Sequence, residues 1–186
     1  MNRRILLAIT LSCFALTTTS AAMADAPAKK KKAKGPVYAV CVIMPVDNNG
    51  VGGVLHFVQK GKKVHITGEV TGLAPGDHGF HVHEFGDVSD LEAGKSAGGH
   101  YNPEGAMHGR PSDADRHVGD LGNITANDEG VAKVDITDSV ISLRGPNSII
   151  GRSIMVHADP DDFGQPTGNA GGRVGFGVIG IAAAPS

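Results

Sequence analysis

The feature that most constrains the fold is a series of eight short runs rich in β-branched and aromatic residues. Turn-forming Gly, Asn, Asp and Pro separate them, for example at 47–50, 60–61, 75–76 and 127–130. Several runs alternate in polarity, as strands with one buried face do. The runs are VYAVCVIM, GGVLHFVQ, KKVHITGEV, HGFHVHEF, LGNITA, GVAKVDIT, SIMVHA and RVGFGVIGIA. They predict an all-β fold, an eight-stranded barrel or sandwich.

Two stretches depart from the strand pattern. Residues 86–117 and 158–171 are long, polar and rich in Gly. Long loops without secondary structure are uncommon in a small domain unless they are functional or disordered. Most of the remaining histidines and several aspartates lie in these stretches or beside them. This association predicts that both are functional loops, ordered by a metal site.

The N-terminus has the layout of a secretory signal. Arg3 and Arg4 precede an apolar run over 5–16, and small residues lead to a cleavage site after Ala24. The apolar run is too short for a comfortable membrane span, so we expect no stable membrane insertion after cleavage. Residues 25–36 carry five lysines, Lys29–Lys32 and Lys34, and are predicted to be a disordered linker. The folded domain is then predicted over 37–186.

Charge and cysteine content exclude some classes of protein. From Val37 onward there are 10 Lys and Arg but 18 Asp and Glu, the opposite of a nucleic-acid-binding domain. Cys13 falls in the predicted signal, so Cys41 is left without a partner for an intrachain disulfide. Cys41 lies in an apolar run and is predicted to be a small buried residue.

Histidine spacing predicts metal binding. His81 and His83 are two residues apart in a predicted strand, so both imidazoles point to one face. A second set of three imidazoles and one carboxylate suits a tetrahedral zinc site and comprises His100, His108, His117 and Asp120. His157 ends a later strand. One metal cannot use all these ligands, whereas two can, and an all-imidazole set favours copper. The alternative is a group of polar loop histidines.

Several motifs carry a resemblance to a known family. They are GFHVHEFGD, HYNPEGAMHG, RHVGDLGNIT, DSVISLRG, IIGRS, MVHA and GNAGGRVGFGVIGIA. In this order, over nearly all of residues 37–182, the chain resembles the copper–zinc superoxide dismutases. The resemblance implies a Greek-key barrel, and a reaction that disproportionates superoxide to dioxygen and hydrogen peroxide at a copper site bridged to zinc.

The resemblance also assigns roles to individual residues. His81, His83, His100 and His157 match the copper ligands, and His100, His108, His117 and Asp120 match the zinc ligands. His100 would bridge the two metals and take part in catalysis. Asp161 matches a carboxylate that links a copper ligand to a zinc ligand, and Arg173 matches the guanidinium that holds the anion. His78 matches a structural histidine, and Thr167 a channel-wall residue.

The chain also departs from the family pattern. The two positions of the usual loop-to-barrel disulfide match Gly94 and Phe176, which cannot form it. We hypothesise that packing of Phe176 replaces the bridge. The segment between His157 and Arg173 is several residues shorter than in common relatives.

The sequence also predicts the oligomeric state of the protein and its location. Apolar residues at the family's dimer face predict a homodimer; they are Val40, Val42, Ile150, Gly151, Val178 and Ile181. The predicted signal implies export, to the periplasm or outside the cell. Three alternative functions remain open at this point: a metal-handling module of the copper-chaperone type, a copper-only relative, and a non-enzymatic zinc-binding protein.

Overall fold

The eight predicted runs form eight strands. The computed structural model describes residue 35 and residues 37–185, so the predicted signal and nearly all of the predicted linker lie outside the described residues. The strands are β1 (Val37–Pro45), β2 (Gly52–Lys60), β3 (Lys63–Thr71), β4 (Gly76–His83), β5 (Asp120–Ala126), β6 (Ala132–Asp138), β7 (Ser153–His157) and β8 (Arg173–Ala182).

The strands close into an antiparallel barrel in the order β1-β2-β3-β6-β5-β4-β7-β8. The connections from β3 to β4 and from β6 to β7 each pass over two strands, as in a Greek key. Closure pairs every strand of the barrel on both sides, which leaves no open edge among them. The all-β barrel predicted from the sequence is confirmed.

Strand periodicity explains the core. In β2, Leu55 and Phe57 are fully buried, whereas His56 between them is exposed, because successive side chains point to opposite faces. The same alternation places Cys41 of β1 in the core, where burial raises the pKa of its thiol to about 12. Cys41 is the one cysteine among the described residues, and it is free.

Two strands are buried on both faces. In β4, Phe80 and Val82 pack into the core, while His81 and His83 alternate with them on the outer face and are buried as well. All five residues of β7 are buried. Both strands therefore have an outer face that another part of the chain covers.

Two loops provide this cover, here named the first loop (residues 84–119) and the second loop (residues 158–172). The first loop contains a single 3₁₀ turn, Lys95–Ala97, and pairs with β4 through an isolated bridge between His83 and His100. In the second loop, Ala158 N donates to Gly172 O at 2.8 Å, and Asp159 N to Ala170 O at 2.9 Å. Both loops are the stretches that the sequence predicted to lack strands.

A small apolar cluster joins the first loop to the barrel. It consists of Val46, Ala97, Met155 and Phe176, and Val88 packs against it. Ala97 and Val88 belong to the first loop, whereas Met155 and Phe176 are on β7 and β8 and are fully buried. We call it the Phe176 cluster.

Among the described residues, no helix has the length and apolar character that a membrane crossing requires.

Candidate metal centre

Two groups of four candidate ligands meet beneath the two loops. The first group is His81, His83, His100 and His157, and the second is His100, His108, His117 and Asp120. Within each group, one candidate ligand atom per residue lies within 4.8 Å of all the others. His100 belongs to both groups. The sequence-predicted ligands are therefore close together in the two sets that the resemblance implied.

The second group converges on one carboxylate oxygen. Asp120 Oδ1 lies 2.9 Å from His100 Nδ1, 3.0 Å from His108 Nδ1 and 3.1 Å from His117 Nδ1. Four ligands placed about 2.0–2.1 Å from a tetrahedral zinc ion would be roughly 3.3 Å apart. The other oxygen, Asp120 Oδ2, accepts hydrogen bonds from the backbone N–H groups of Gly109 and His117 at 3.1 and 2.9 Å. These two backbone N–H groups orient the carboxylate.

Hydrogen bonds to groups outside the first group orient two of its imidazole rings. His83 Nδ1 donates to Gly98 O at 3.0 Å, so its Nε2 is left as an acceptor, 3.4 Å from His157 Nε2. His81 Nε2 donates to Asp161 Oδ2 at 2.8 Å, and its Nδ1 is left as an acceptor. Neutral imidazole has one donor nitrogen and one acceptor nitrogen, so these partners turn a lone pair inward.

Two buried ring nitrogens without hydrogen-bond partners indicate whether the ligand groups suit metal ions. His81 Nδ1 and His108 Nδ1 are buried and have no hydrogen bond of acceptable geometry among the described residues. His108 Nδ1 is 3.0 Å from Asp120 Oδ1, yet the two atoms are not aligned as donor and acceptor. A buried polar atom without a partner destabilises the fold, and a shared cation removes that cost. The donor set therefore fits bound metal ions.

Burial keeps three imidazoles of the first group, those of His81, His83 and His157, unprotonated. It lowers the pKa of His81 to about 4 and that of His157 to about 3, and it holds the pKa of His83 well below the usual value. The positive charge of Arg173 adds to the lowering at His83 and His157. At neutral pH these imidazoles are neutral, which is the form that binds metals.

Asp161 connects the two groups. Its Oδ2 accepts from His81 Nε2 at 2.8 Å and its Oδ1 from His108 Nε2 at 2.9 Å. Burial opposes ionisation of Asp161, but the hydrogen bonds from His108 and His81 outweigh it and hold the pKa of the carboxyl well below its usual range. Burial also disfavours the charged form of His108, yet Asp120 and Asp161 raise its pKa to about 9.

Arg173 lies beside the first group. β7 and β8 pair His157 with Arg173, and the guanidinium donates to Gly94 O and, at 2.6 Å, to Gly98 O in the first loop. Arg173 also lines an open cavity of about 570 Å³, whose other charged side chains are Lys95, Asp47 and Glu92 and which none of the candidate ligands lines. Since two of its five N–H groups are used by the loop carbonyls, others remain to bind an anion.

His78 and Thr167 lie apart from both ligand groups. His78 Nδ1 is 2.8 Å from His157 O and its Nε2 is 2.8 Å from Ala74 O, so the ring makes backbone contacts rather than joining a ligand group. Thr167 is exposed in the second loop and belongs to neither group.

Two residues near the candidate ligands have contacts that the sequence did not predict. Asn123 exchanges hydrogen bonds with the backbone of Asp161, at 2.9 and 2.7 Å, and Gln165 does the same with the backbone of His108. The partners are 38 and 57 residues apart. Asn123 lies within the motif RHVGDLGNIT and Gln165 lies in none of the quoted motifs, but in both cases local spacing does not reveal contacts at such separations.

Comparison with known proteins gives a family match and relatives that carry the same family name. Residues 51–179 match the sequence model of the family described as copper/zinc superoxide dismutase. The chain is 49% identical over 151 residues to "Extracellular superoxide dismutase [Cu-Zn]" of Brugia pahangi, covering 76% of this chain and 75% of that protein. It is 52% identical over 142 residues to "Superoxide dismutase [Cu-Zn] 2" of Brassica juncea, covering 72% and 92%.

Proposed function

This chain belongs to the copper/zinc superoxide dismutase family, and from that premise we propose which of its residues carry the reaction. It is an oxidoreductase that uses copper and zinc and converts two superoxide ions and two protons into dioxygen and hydrogen peroxide. The observation that carries the assignment is the membership of His100 in two complete four-ligand groups.

We assign copper to the four imidazoles of the first group and zinc to the second. Imidazole nitrogens suit copper, whereas three imidazoles and a carboxylate suit tetrahedral zinc. When bound, copper supplies the one-electron exchange with superoxide, and zinc has no redox chemistry. The presence of both groups argues against a copper-only protein, and the intact all-imidazole group argues against a purely zinc-binding one.

The residues of the chain bind the anion and handle protons. Arg173 attracts superoxide and holds it beside the first group. Because His100 Nδ1 faces the second group, 2.9 Å from Asp120 Oδ1, Nε2 is the nitrogen that can exchange a proton at the first group. We assign His100 to deliver one of the two protons that convert the second superoxide to hydrogen peroxide. Arg173, still charged, holds that anion while it is protonated.

A matched pair of variants tests the ligand assignment. We expect His157→Ala to lose copper and dismutase activity but to retain zinc, because His157 belongs only to the first group. His117→Ala should lose zinc and retain copper, because it belongs only to the second. Elemental analysis of the purified proteins and a superoxide dismutation assay measure both outcomes. Loss of zinc from His157→Ala with copper retained would reverse the assignment.

We also propose that the protein is a homodimer through β1 and β8. Val42, Val178 and Ile181 on these neighbouring strands are 56%, 37% and 77% exposed, which forms an apolar face. Sedimentation equilibrium at micromolar concentration should give twice the chain mass, and Ile181→Asp should give the monomer mass. The control Met107→Asp, an exposed residue of the first loop, should remain dimeric. A monomeric wild type would contradict the proposal.

Finally, we propose that the chain is exported, to the periplasm or outside the cell, with residues 1–24 as the cleaved signal. The signal layout of these residues supports this, and so does similarity to a relative named as extracellular. N-terminal sequencing of protein from an exporting host should begin at Asp25. A mature chain that begins at Met1 would contradict it.

A further inference from the structure

The second loop contacts the backbone of one candidate zinc ligand through a single side chain. Gln165 Oε1 accepts from His108 N at 3.0 Å, and Gln165 Nε2 donates to His108 O at 2.7 Å. Among the described residues, Gln165 is the hydrogen-bond partner of both backbone groups of His108. Since His108 lies outside any strand, no sheet pairing holds it.

The ring of His108 is covered from the same loop. The Phe163 ring lies 16° from the plane of the His108 ring, with 6.4 Å between centroids, and the Arg110 guanidinium lies over Phe163 at 4.3 Å. The backbone N–H of Phe163 donates at 2.8 Å to Asp161 Oδ1, the oxygen that also accepts from His108 Nε2. Backbone, ring and outer nitrogen of His108 are therefore all contacted from residues 161–165.

Gln165 lies in a tight turn of the second loop. Gly168 N donates to Gly164 O at 2.7 Å, which closes the turn containing Gln165. Gly168 has φ of +81°, and a side chain there would overlap the Asp161 carboxylate and the His108 ring. Only glycine fits this position without strain. The turn therefore has little freedom to move Gln165 away from His108.

We propose that Gln165 is a positioning residue for the zinc ligand His108. Its carboxamide fixes the His108 backbone, so that Nδ1 remains close to Asp120 Oδ1 while Nε2 stays on Asp161. This inference rests on the proposed assignment of zinc to the second group. Partners that orient a ligand in this way change metal affinity without touching the metal. Gln165 thereby restricts zinc release in a protein whose second loop is short.

Two variants of Gln165 test the proposal. Gln165→Met has similar length and makes neither hydrogen bond, whereas Gln165→Glu keeps the acceptor for His108 N–H and loses the donor. In the metal-loaded protein, we expect Gln165→Met to release zinc to a chromogenic chelator about tenfold faster than wild type. Gln165→Glu should be intermediate. With Co²⁺ in the second group, the visible absorption bands should shift in Gln165→Met, because the ligand geometry changes.

Control measurements distinguish a positioning role of Gln165 from a general contribution to the stability of the fold. Gln165 is exposed, so the metal-free melting temperature of Gln165→Met should equal that of wild type and of Glu129→Met, an exposed change in the β5–β6 turn. Unchanged zinc release and unchanged Co²⁺ bands would overturn the proposal, as would equal destabilisation with and without metal. Failure of wild type to bind zinc in a His117-dependent way would instead overturn the metal assignment.

Discussion

At the scale of single residues, three of the candidate ligands are oriented by hydrogen bonds to groups outside both ligand groups. Asp161 orients His81 and His108, and the carbonyl of Gly98 orients His83. The same carbonyl accepts from Arg173, so one backbone group positions both a ligand and the candidate anion-binding side chain. Such sharing reduces the ordering that metal and substrate binding would otherwise require.

Arg173 gives a test at this scale. Arg173→Lys keeps the charge but cannot reach both Gly94 O and Gly98 O with a planar fork, and Arg173→Gln also removes the charge. A hydrogen bond to a charged group contributes about 1.5–3 kcal/mol, so we expect kcat/KM to fall roughly 10–100-fold in Arg173→Gln and less in Arg173→Lys. Stopped-flow or pulse-radiolysis kinetics on metal-loaded protein measure this. Wild-type kcat/KM in both variants would exclude the anion-binding role.

At the scale of elements, the first loop is held to the barrel by apolar packing. The Phe176 cluster places Phe176 and Met155 against Ala97 and Val88 of the loop. Ala97 lies between Gly94 and Gly98, whose carbonyls hold Arg173. The packing is at the position where the family resemblance implies a disulfide, and it supports the hypothesis that Phe176 replaces that bridge.

Phe176→Ala tests this packing. Because the ring is fully buried, we expect its removal to lower the free energy of unfolding by about 3–5 kcal/mol. Phe85→Ala, which removes an exposed ring of the first loop, should lower the free energy of unfolding by less. Denaturant unfolding of the metal-loaded proteins gives both values.

A reductant should not affect the thermal stability of the metal-loaded protein. A phosphine reductant should leave the melting temperature unchanged, whereas a chelator should lower it, since bound metals stabilise the folded state. Destabilisation by the reductant alone would require an unseen disulfide through Cys41 and would contradict this account.

At the scale of the whole molecule, the barrel brings the strands that carry ligands side by side. β4 pairs with both β5 and β7, so His81 and His83 meet Asp120 and His157 although these residues are far apart in the chain. The two loops then bury the candidate ligands, and burial lowers the pKa values of His81, His83 and His157. Proton uptake at the metal centre is therefore coupled to global unfolding.

This coupling predicts how the stability of the metal-free protein depends on pH. Burial lowers the pKa of His81 to about 4 and of His157 to about 3, so below pH 6.5 the unfolded state binds more protons than the folded state. The unfolding free energy should fall as the pH drops from 6.5 towards 4, on the order of 1 kcal/mol per pH unit for each such histidine.

His108 contributes to the pH dependence of stability in the opposite direction. Because its folded pKa is raised to about 9, its contribution is present below pH 6.5 and is lost as the pH rises through 9. Urea unfolding midpoints of chelator-treated protein from pH 4 to 9 should therefore be highest near neutrality. A midpoint that stays constant between pH 6.5 and 4 would show that these histidines titrate normally in the folded state.

The sequence by itself determined the strands and the chemistry of the ligands. Strand periodicity is local, so alternating apolar residues and turn residues marked all eight strands to within a few residues. The spacing of His81 and His83 fixes one shared face for the same reason. The resemblance then predicted the family, the barrel and the two metals, and all three are confirmed.

Only the tertiary structure decided which groups orient the ligands. Gln165 and His108 are 57 residues apart, and Asn123 and Asp161 are 38 apart, so their contacts depend on the barrel register and on the path of both loops. The carbonyl groups of Gly94 and Gly98 carry no side-chain signal at all, because every residue has the same backbone acceptor. Contacts of this kind arise when the barrel closes, and strand periodicity and residue type do not encode them locally.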